Sequence, residues 1–266
     1  MNSELLTQYL SRIGLSKQPE ISPLGLKALH ISQHRTVPFE NFDVIAGRKI
    51  ETTGDGIFEK VVTNKRGGYC FELNGLMLRV LSAIGFGARA LLGRVHLSGT
   101  PTGRGHQFTL VTIDGQQWLV DVGFGSQTPR HPLPLKMDTE LHTDLQTFRL
   151  VSHDLYGTML QVKEQQAWMD LYSFDMQEVC AGDIEYGNHY TSTSPNSVFT
   201  SAGIASIATQ EGTVTLLNDL LKIKKGEQIT EIKLSNESDY FKQVKTHFGL
   251  DLDMPYQKIA QHFDVK

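Results

Sequence analysis

The apolar residues in the first third of the chain repeat at helical spacing. One short helical pattern ends at Gly14, and Ser22-Pro23 marks a second start because proline fits the first position of a helix. Val37-Pro38 ends that second element. A longer pattern runs from Cys70 to Gly85, with its apolar positions at Leu73, Leu76, Met77, Val80, Leu81 and Ile84. This periodicity predicts a helical N-terminal third.

The pattern changes after Gly85 to short apolar runs separated by turn residues. These runs predict strands over 88–97, 107–113, 116–122, 148–151, 160–162 and 168–174, which fits a small barrel. The last third is mixed. It predicts strands over 198–207, 213–217 and 228–234, and helices over 235–248 and 255–263. Helices, then strands, then a mixed segment indicate an α+β protein.

Composition limits the partners that this chain can have. Its 266 residues are enough for a substantial core, and 25 basic against 29 acidic residues give a net charge of −4. We therefore expect neither nucleic acid nor an anionic membrane as a partner. The N-terminus has no continuous apolar run, so neither a signal peptide nor a membrane span is expected. There is no HExxH or paired CxxC spacing, so no metal is expected.

The cysteines point to a cytoplasmic location and to one candidate nucleophile. The chain has only two, Cys70 and Cys180, which argues against a disulfide framework and favours a reducing cytoplasm. Gly67 and Gly68 precede Cys70, and the predicted helix begins at it. Backbone N–H groups and the helix dipole at such a position favour a thiolate. Free cysteines are more often small buried hydrophobic residues than nucleophiles. Cys180 has no glycine turn before it and is interpreted as structural or incidental.

A predicted hairpin places a histidine beside a carboxylate. Asp114-Gly115 is a typical two-residue β-hairpin loop between two apolar runs, and in that register Phe108 lies opposite Asp121. His106 precedes Phe108 by two residues, so its side chain shares a face with Asp121. The two are then diagonal cross-strand neighbours, about 7–8 Å apart at the backbone.

A histidine that is oriented by a carboxylate can take a proton from a thiol. Cys70, His106 and Asp121 are therefore a candidate set of nucleophile, base and orienting residue. Such sets also serve cysteine proteases and transglutaminases, so the reaction stays open at this point. A catalytically silent binding module is a further interpretation, but it would need none of the three residues. The positions of these residues along the chain do not by themselves show that Cys70 lies near the hairpin.

Three segments resemble the arylamine N-acetyltransferase family. Residues 66–74, Arg-Gly-Gly-Tyr-Cys-Phe-Glu-Leu-Asn, resemble its active-site motif, and residues 37–42, Val-Pro-Phe-Glu-Asn-Phe, resemble its N-terminal segment. Residues 120–125, Val-Asp-Val-Gly-Phe-Gly, resemble its aspartate motif, and His106 stands at the expected interval before them. The motifs occur in the family's order. Weaker similarity continues through 194–199 into the last third.

The resemblance implies a three-part fold with a cysteine-protease-like catalytic core. We expect a helical bundle over 1–85, a β-barrel over 86–190 and an α/β lid over 191–266. It also implies a cytoplasmic enzyme of xenobiotic metabolism that works by ping-pong transfer. Acetyl-CoA would acetylate Cys70, and an arylamine, arylhydrazine or N-arylhydroxylamine would then take the acetyl group. A natural-product amide synthase with the same three residues is the alternative.

Two residues in the matched motifs are candidates for structural support. Glu40 and Arg66 are expected to form a buried ion pair beside Cys70, and the alternative is that both are solvated.

Four further residues are candidates for binding. Thr102 and Gly103 lie in a Gly-, Thr- and Ser-rich loop that can offer backbone N–H groups to a phosphate, and the resemblance implies that this loop lies along CoA. Phe39 and Phe124 are expected to form walls for an aromatic amine. Core packing is the alternative for both phenylalanines.

Overall fold

Helices lie mainly towards the two ends of the chain, and the long strands lie between them. The structure, a computed structural model, describes residues 1–263. Its helices are α1 (Ser3–Arg12), α2 (Pro23–Thr36), α3 (Phe42–Ile45), α4 (Gly54–Phe58), α5 (Cys70–Ile84), α6 (Ala181–Thr193), α7 (Val198–Ser201), α8 (Glu237–Phe248) and α9 (Gln257–Ala260). A π-helical turn, Glu59–Thr63, continues α4.

The strands form two antiparallel sheets. They are β1 (Phe39–Glu40), β2 (Gly87–Val95), β3 (His106–Ile113), β4 (Gln116–Val120), β5 (Leu133–Pro134), β6 (Leu141–His142), β7 (Thr147–His153), β8 (Gly157–Glu164), β9 (Ala167–Phe174), β10 (Ile204–Ala208), β11 (Gly212–Leu217), β12 (Leu220–Lys225) and β13 (Gln228–Lys233). The predicted α+β class with a central barrel is confirmed.

Helix α5 is the centre of the N-terminal core. Its apolar side chains are buried on nearly all sides against α1, α2 and the strands β2 and β3. Gly85 ends the helix with a φ of 108°, a left-handed conformation that favours glycine. A helix enclosed in this way has a fixed position, which matters because its first residue is Cys70.

The larger sheet curls into a nearly closed barrel with the strand order β5-β4-β3-β2-β9-β8-β7-β6. Its interior is filled by apolar side chains, among them Phe108, Phe148, Leu160 and Tyr172. The hairpin β3–β4 therefore presents one face to this interior and the other to α5.

The predicted hairpin register is confirmed. Ile113 pairs with Gln116, and the pairing continues to Thr109 and Val120. Asp114 and Gly115 have φ values of 48° and 79°, as a two-residue type I′ loop requires.

The smaller sheet has the order β1-β10-β11-β12-β13. Its first strand, β1, comes from the N-terminal third and pairs with β10, so the last third of the chain is joined to the helical part. No helix in residues 1–263 has the length and hydropathy needed to cross a bilayer. Residues 264–266 of the expected lid lie outside the described residues.

Some predicted elements of the last third were wrong. The segment 198–207 is not one strand: it forms α7 and then β10, because the Ser197 hydroxyl caps a helical turn at the Phe199 N–H. Helix α6 and strand β12 were not predicted. The inward positions of α6 include Gly187, Asn188 and Thr191, which give no apolar periodicity.

Candidate active site

The candidate nucleophile stands at the N-terminus of α5, as the glycine pair indicated. A side chain on Gly67 would place its Cβ 2.1 Å from the Pro38 carbonyl oxygen, and one on Gly68 would lie 2.8 Å from the Glu72 side chain. Only glycine permits this close approach. The Glu72 carboxylate accepts the Tyr69 N–H at 3.0 Å and so caps the helix. Cys70, the first helical residue, is 3% exposed.

The barrel supplies the imidazole and the carboxylate from adjacent strands. His106 is the first residue of β3, and Asp121 follows the last residue of β4. Nε2 of His106 lies 2.7 Å from Oδ2 of Asp121, and the two residues are 2% and 1% exposed. This contact leaves Nδ1 as the ring nitrogen that is available to a thiol.

The structure brings Cys70 to the histidine. Its Sγ is 3.7 Å from the carbonyl oxygen of Gly105, the residue before His106, and the thiol lies close enough to help raise the pKa of the His106 ring. Burial alone would lower the pKa of His106, but the charge and hydrogen bond of Asp121, helped by Cys70, raise it to about 10. The ring is therefore an imidazolium at neutral pH, the form that stabilises a neighbouring thiolate.

The carboxylate is held in its charged form. Burial would raise the pKa of Asp121, but His106 lowers it, as do hydrogen bonds from the Gly123 N–H and the Asn74 side chain. The net shift is downward, so Asp121 stays ionised at neutral pH. A buried carboxylate beside a buried imidazolium is a charge pair that orients the ring.

Aromatic rings enclose the imidazole. The centroids of Phe124 and Tyr172 lie 4.7 and 4.9 Å from that of His106. Burial raises the pKa of Tyr172, and the nearby Asp121 adds to this effect. Tyr172 was not predicted as a residue of the site. It lies in a predicted strand, but its proximity to the carboxylate depends on the closure of the barrel.

Phe39 lies in a second group of rings on the helical side. Its centroid is 5.9 Å from that of Phe199, which in turn lies 5.6 Å from Tyr69 in an edge-on arrangement. The Tyr69 hydroxyl donates to the Asn188 side chain of α6. Phe199 and α6 were missed as parts of this site, although residues 194–199 were noted for their family resemblance.

Glu40 and Arg66 form a buried ion pair. Oε1 of Glu40 lies 2.8 Å from Nη2 of Arg66, and Asp43 binds the same guanidinium at 3.3 Å. Lys60 bridges Asp43 and Glu72 at 2.8 and 2.7 Å. Because Glu72 caps α5, the ion pair is connected through this charged network to the helix that carries Cys70.

Thr102 and Gly103 are exposed in the loop between β2 and β3. The Thr102 hydroxyl accepts the Val95 N–H at 3.0 Å and donates to the Gly103 carbonyl at 2.8 Å. The hydroxyl therefore stabilises the loop itself. Within the described part of the chain, no group of three or more His, Cys, Asp or Glu side chains could hold a metal ion.

A thiol at a helix N-terminus, facing a buried imidazolium–carboxylate pair, defines the class of enzymes with a Cys–His–Asp arrangement. Comparison with known proteins narrows this class. A family model described as N-acetyltransferase matches residues 25–257. The arylamine N-acetyltransferase of Escherichia coli is 34% identical over 253 residues, with 94% of this chain and 90% of that protein covered. The chain belongs to the arylamine N-acetyltransferase family.

Further relatives and solved structures belong to the same family. The Salmonella typhimurium arylamine N-acetyltransferase / N-hydroxyarylamine O-acetyltransferase is 33% identical, with 94% of this chain and 90% of that protein covered. A solved arylamine N-acetyltransferase from the same species has a TM-score of 0.92 at 30% identity and covers 98% of each chain. The Mycobacterium marinum enzyme in complex with CoA has a TM-score of 0.90 at 29% identity, with 97% of this chain and 98% of that chain covered.

Proposed function

We propose that this protein is an arylamine N-acetyltransferase that uses Cys70 as its nucleophile, His106 as its acid and base, and Asp121 to orient His106. The observation that carries the proposal is the buried His106–Asp121 pair, with the Cys70 thiol at the N-terminus of α5 next to the residue that precedes His106. The acceptor is an arylamine, an arylhydrazine or an N-arylhydroxylamine.

In the first half-reaction the Cys70 thiolate attacks the carbonyl carbon of acetyl-CoA. A bond forms between this carbon and Sγ, and the bond to the CoA sulfur breaks. The His106 imidazolium gives its proton to the departing CoA thiolate, so CoA leaves as a thiol and His106 becomes neutral. Asp121 keeps the ring in the orientation that directs Nδ1 at the sulfur atoms.

In the second half-reaction the amine nitrogen attacks the thioester carbonyl of Cys70. Neutral His106 takes the proton that the nitrogen loses, the carbon–sulfur bond breaks, and the thiolate–imidazolium pair is restored. Phe39 and Phe124 would contact the aromatic ring of the acceptor. Their position beside the rings around Cys70 and His106 supports this role.

The site for acetyl-CoA is proposed from the family resemblance. Thr102 and Gly103 would lie along CoA, as the family resemblance implies, and their exposure in the loop is consistent with this role. The division into parts at residues 85 and 190 stays a prediction. A cytoplasmic role in xenobiotic metabolism is also proposed, on the family resemblance and the low cysteine count.

The test is mass spectrometry of the protein after incubation with acetyl-CoA alone. We expect one acetyl group, located on Cys70, which is then lost when an arylamine is added. Cys180→Ser is the matched control, because it removes the other cysteine and should leave labelling intact. No label, or a label that stays after Cys70→Ser, would contradict the proposal.

A further inference from the structure

One side chain in the active-site motif contacts both strands of the catalytic hairpin. Asn74 is fully buried in α5, one helical turn after Cys70, so the two residues lie on the same face of the helix. Its Nδ2 group donates to the Gln107 carbonyl at 2.7 Å and to Oδ1 of Asp121 at 2.9 Å. Its Oδ1 atom accepts the Val122 N–H at 2.9 Å.

These three bonds reach each of the elements that carry the candidate catalytic residues. Gln107 is the neighbour of His106 on β3, and Val122 is the neighbour of Asp121 after β4. The amide therefore fixes where Cys70 stands along the hairpin. It also holds Oδ1 of Asp121 together with the Gly123 N–H, which leaves Oδ2 for the imidazole.

The packing around Gly123 shows how closely the parts approach. A Cβ on Gly123 would lie 2.9 Å from Nδ2 of Asn74 and 3.0 Å from Cα of Cys70. A larger residue would push the hairpin end away from α5. The glycine of the aspartate motif and the asparagine of the cysteine motif thus meet at one point.

We propose that Asn74 is a positioning residue for the acetyl transfer: its side-chain amide joins the helix of Cys70 to the strand ends of His106 and Asp121. This inference rests on the proposed function of those three residues. Asn74 touches no reacting atom, so it acts only through the groups it holds.

The amide also affects the charge state of Asp121. The groups that face or influence this carboxylate are His106 on β3, Tyr172 on β9, and the neutral buried histidines His30 and His34 on α2. Asn74 donates a hydrogen bond to the ionised form, which lowers the pKa of Asp121. Loss of this bond lets the carboxylate take up a proton at a higher pH.

The experiment measures the rate of Cys70 acetylation by acetyl-CoA between pH 3.5 and pH 9, with no acceptor present, in wild type and Asn74→Ala. We expect a loss of roughly 10–100-fold at neutral pH, the usual effect of removing one hydrogen bond to a charged group. We also expect the fall in rate at low pH, the acid limb of the pH–rate profile, to begin at a higher pH in Asn74→Ala than in wild type. Asn74→Gln keeps an amide but is one methylene longer. Its acetylation rate, and the pH at which that rate falls on the acid side, should lie between those of wild type and those of Asn74→Ala.

Gln33→Leu is the matched control. Gln33 is a buried amide that binds the same helix through the Leu73 carbonyl, at 3.0 Å, but makes no hydrogen bond to His106, Asp121 or their strands. Its thermal unfolding temperature should fall, while the acid limb stays in place. The proposal is overturned if Asn74→Ala keeps the wild-type profile, or if Gln33→Leu shows the same shift.

The two proposals can fail separately. If wild-type Cys70 is not acetylated, the proposed function is wrong. If wild type is acetylated and the Asn74 variants match its profile, only the role of Asn74 is wrong. Should Asn74→Ala not fold, the profile of Asn74→Gln decides in the same way.

Discussion

Replacement of Asp121 by Asn is the sharpest perturbation of the proposed chemistry. The substitution keeps the size of the side chain and removes its charge. His106 then loses the buried carboxylate that lies 2.7 Å from Nε2. The new amide can donate to the ring as well as accept from it, so the tautomer is no longer fixed.

The structure gives the size of the effect. The pKa of His106 stands at about 10 against an ordinary 6.5, which corresponds to roughly 5 kcal/mol in favour of the imidazolium. Asp121 supplies most of this preference, and Cys70 supplies a smaller part. Without the carboxylate, only the smaller contribution of Cys70 opposes burial, which lowers the pKa of His106. We therefore expect acetylation of Cys70 to slow by about 10³-fold at neutral pH.

The assay is rapid-mix mass spectrometry of Cys70 acetylation, with thermal unfolding measured on the same samples. Asp121→Glu keeps the charge and should retain more activity than Asp121→Asn. Asp170→Asn, on the barrel strand β9, is the control for loss of a carboxylate outside the site. A folded Asp121→Asn protein that acetylates at more than about a tenth of the wild-type rate would refute the reasoning.

Three further outcomes are expected. Glu40→Gln should lower the free energy of unfolding by about 3 kcal/mol in urea titrations, because Arg66 stays buried with only part of its partner charge; an unchanged midpoint would contradict this. Phe124→Ser should alter selectivity across a panel of arylamines more than it slows acetylation of Cys70. An equal loss of rate in both half-reactions would contradict the proposal that Phe124 contacts the acceptor. Burial, with neighbouring positive charge, lowers the pKa of His34 from 6.5 to about 3. Between these two pH values the unfolded chain binds the proton and the folded protein does not, so the free energy of unfolding falls as the pH drops below 6.5. His34→Gln should flatten the fall in unfolding temperature between pH 6.5 and pH 4.

Local patterns explain why part of the site could be predicted from the sequence. A two-residue Asp-Gly loop fixes the register of its hairpin, and the register places His106 and Asp121 on one face. The start of α5 at Cys70 follows from the glycine pair and the apolar periodicity that succeeds it. These signals act between residues that are close along the chain.

The walls of the site show the limit of such patterns. Phe199 reaches the rings of Phe39 and Tyr69 from a segment more than 100 residues further along the chain. The helix α6 packs on the site through Gly187, whose lack of a side chain lets it approach Phe71. Small inward-facing residues leave no apolar period in the sequence, so that helix was missed.

The sequence by itself determined the class of fold, the hairpin that pairs His106 with Asp121, and the helix that begins at Cys70. Only the tertiary structure decided that these two elements meet. Their contact depends on the buried amide of Asn74 and on the space left by Gly123, which hold parts of the chain about 50 residues apart. Such contacts arise from packing between elements, and packing leaves no local signal for a single sequence to show.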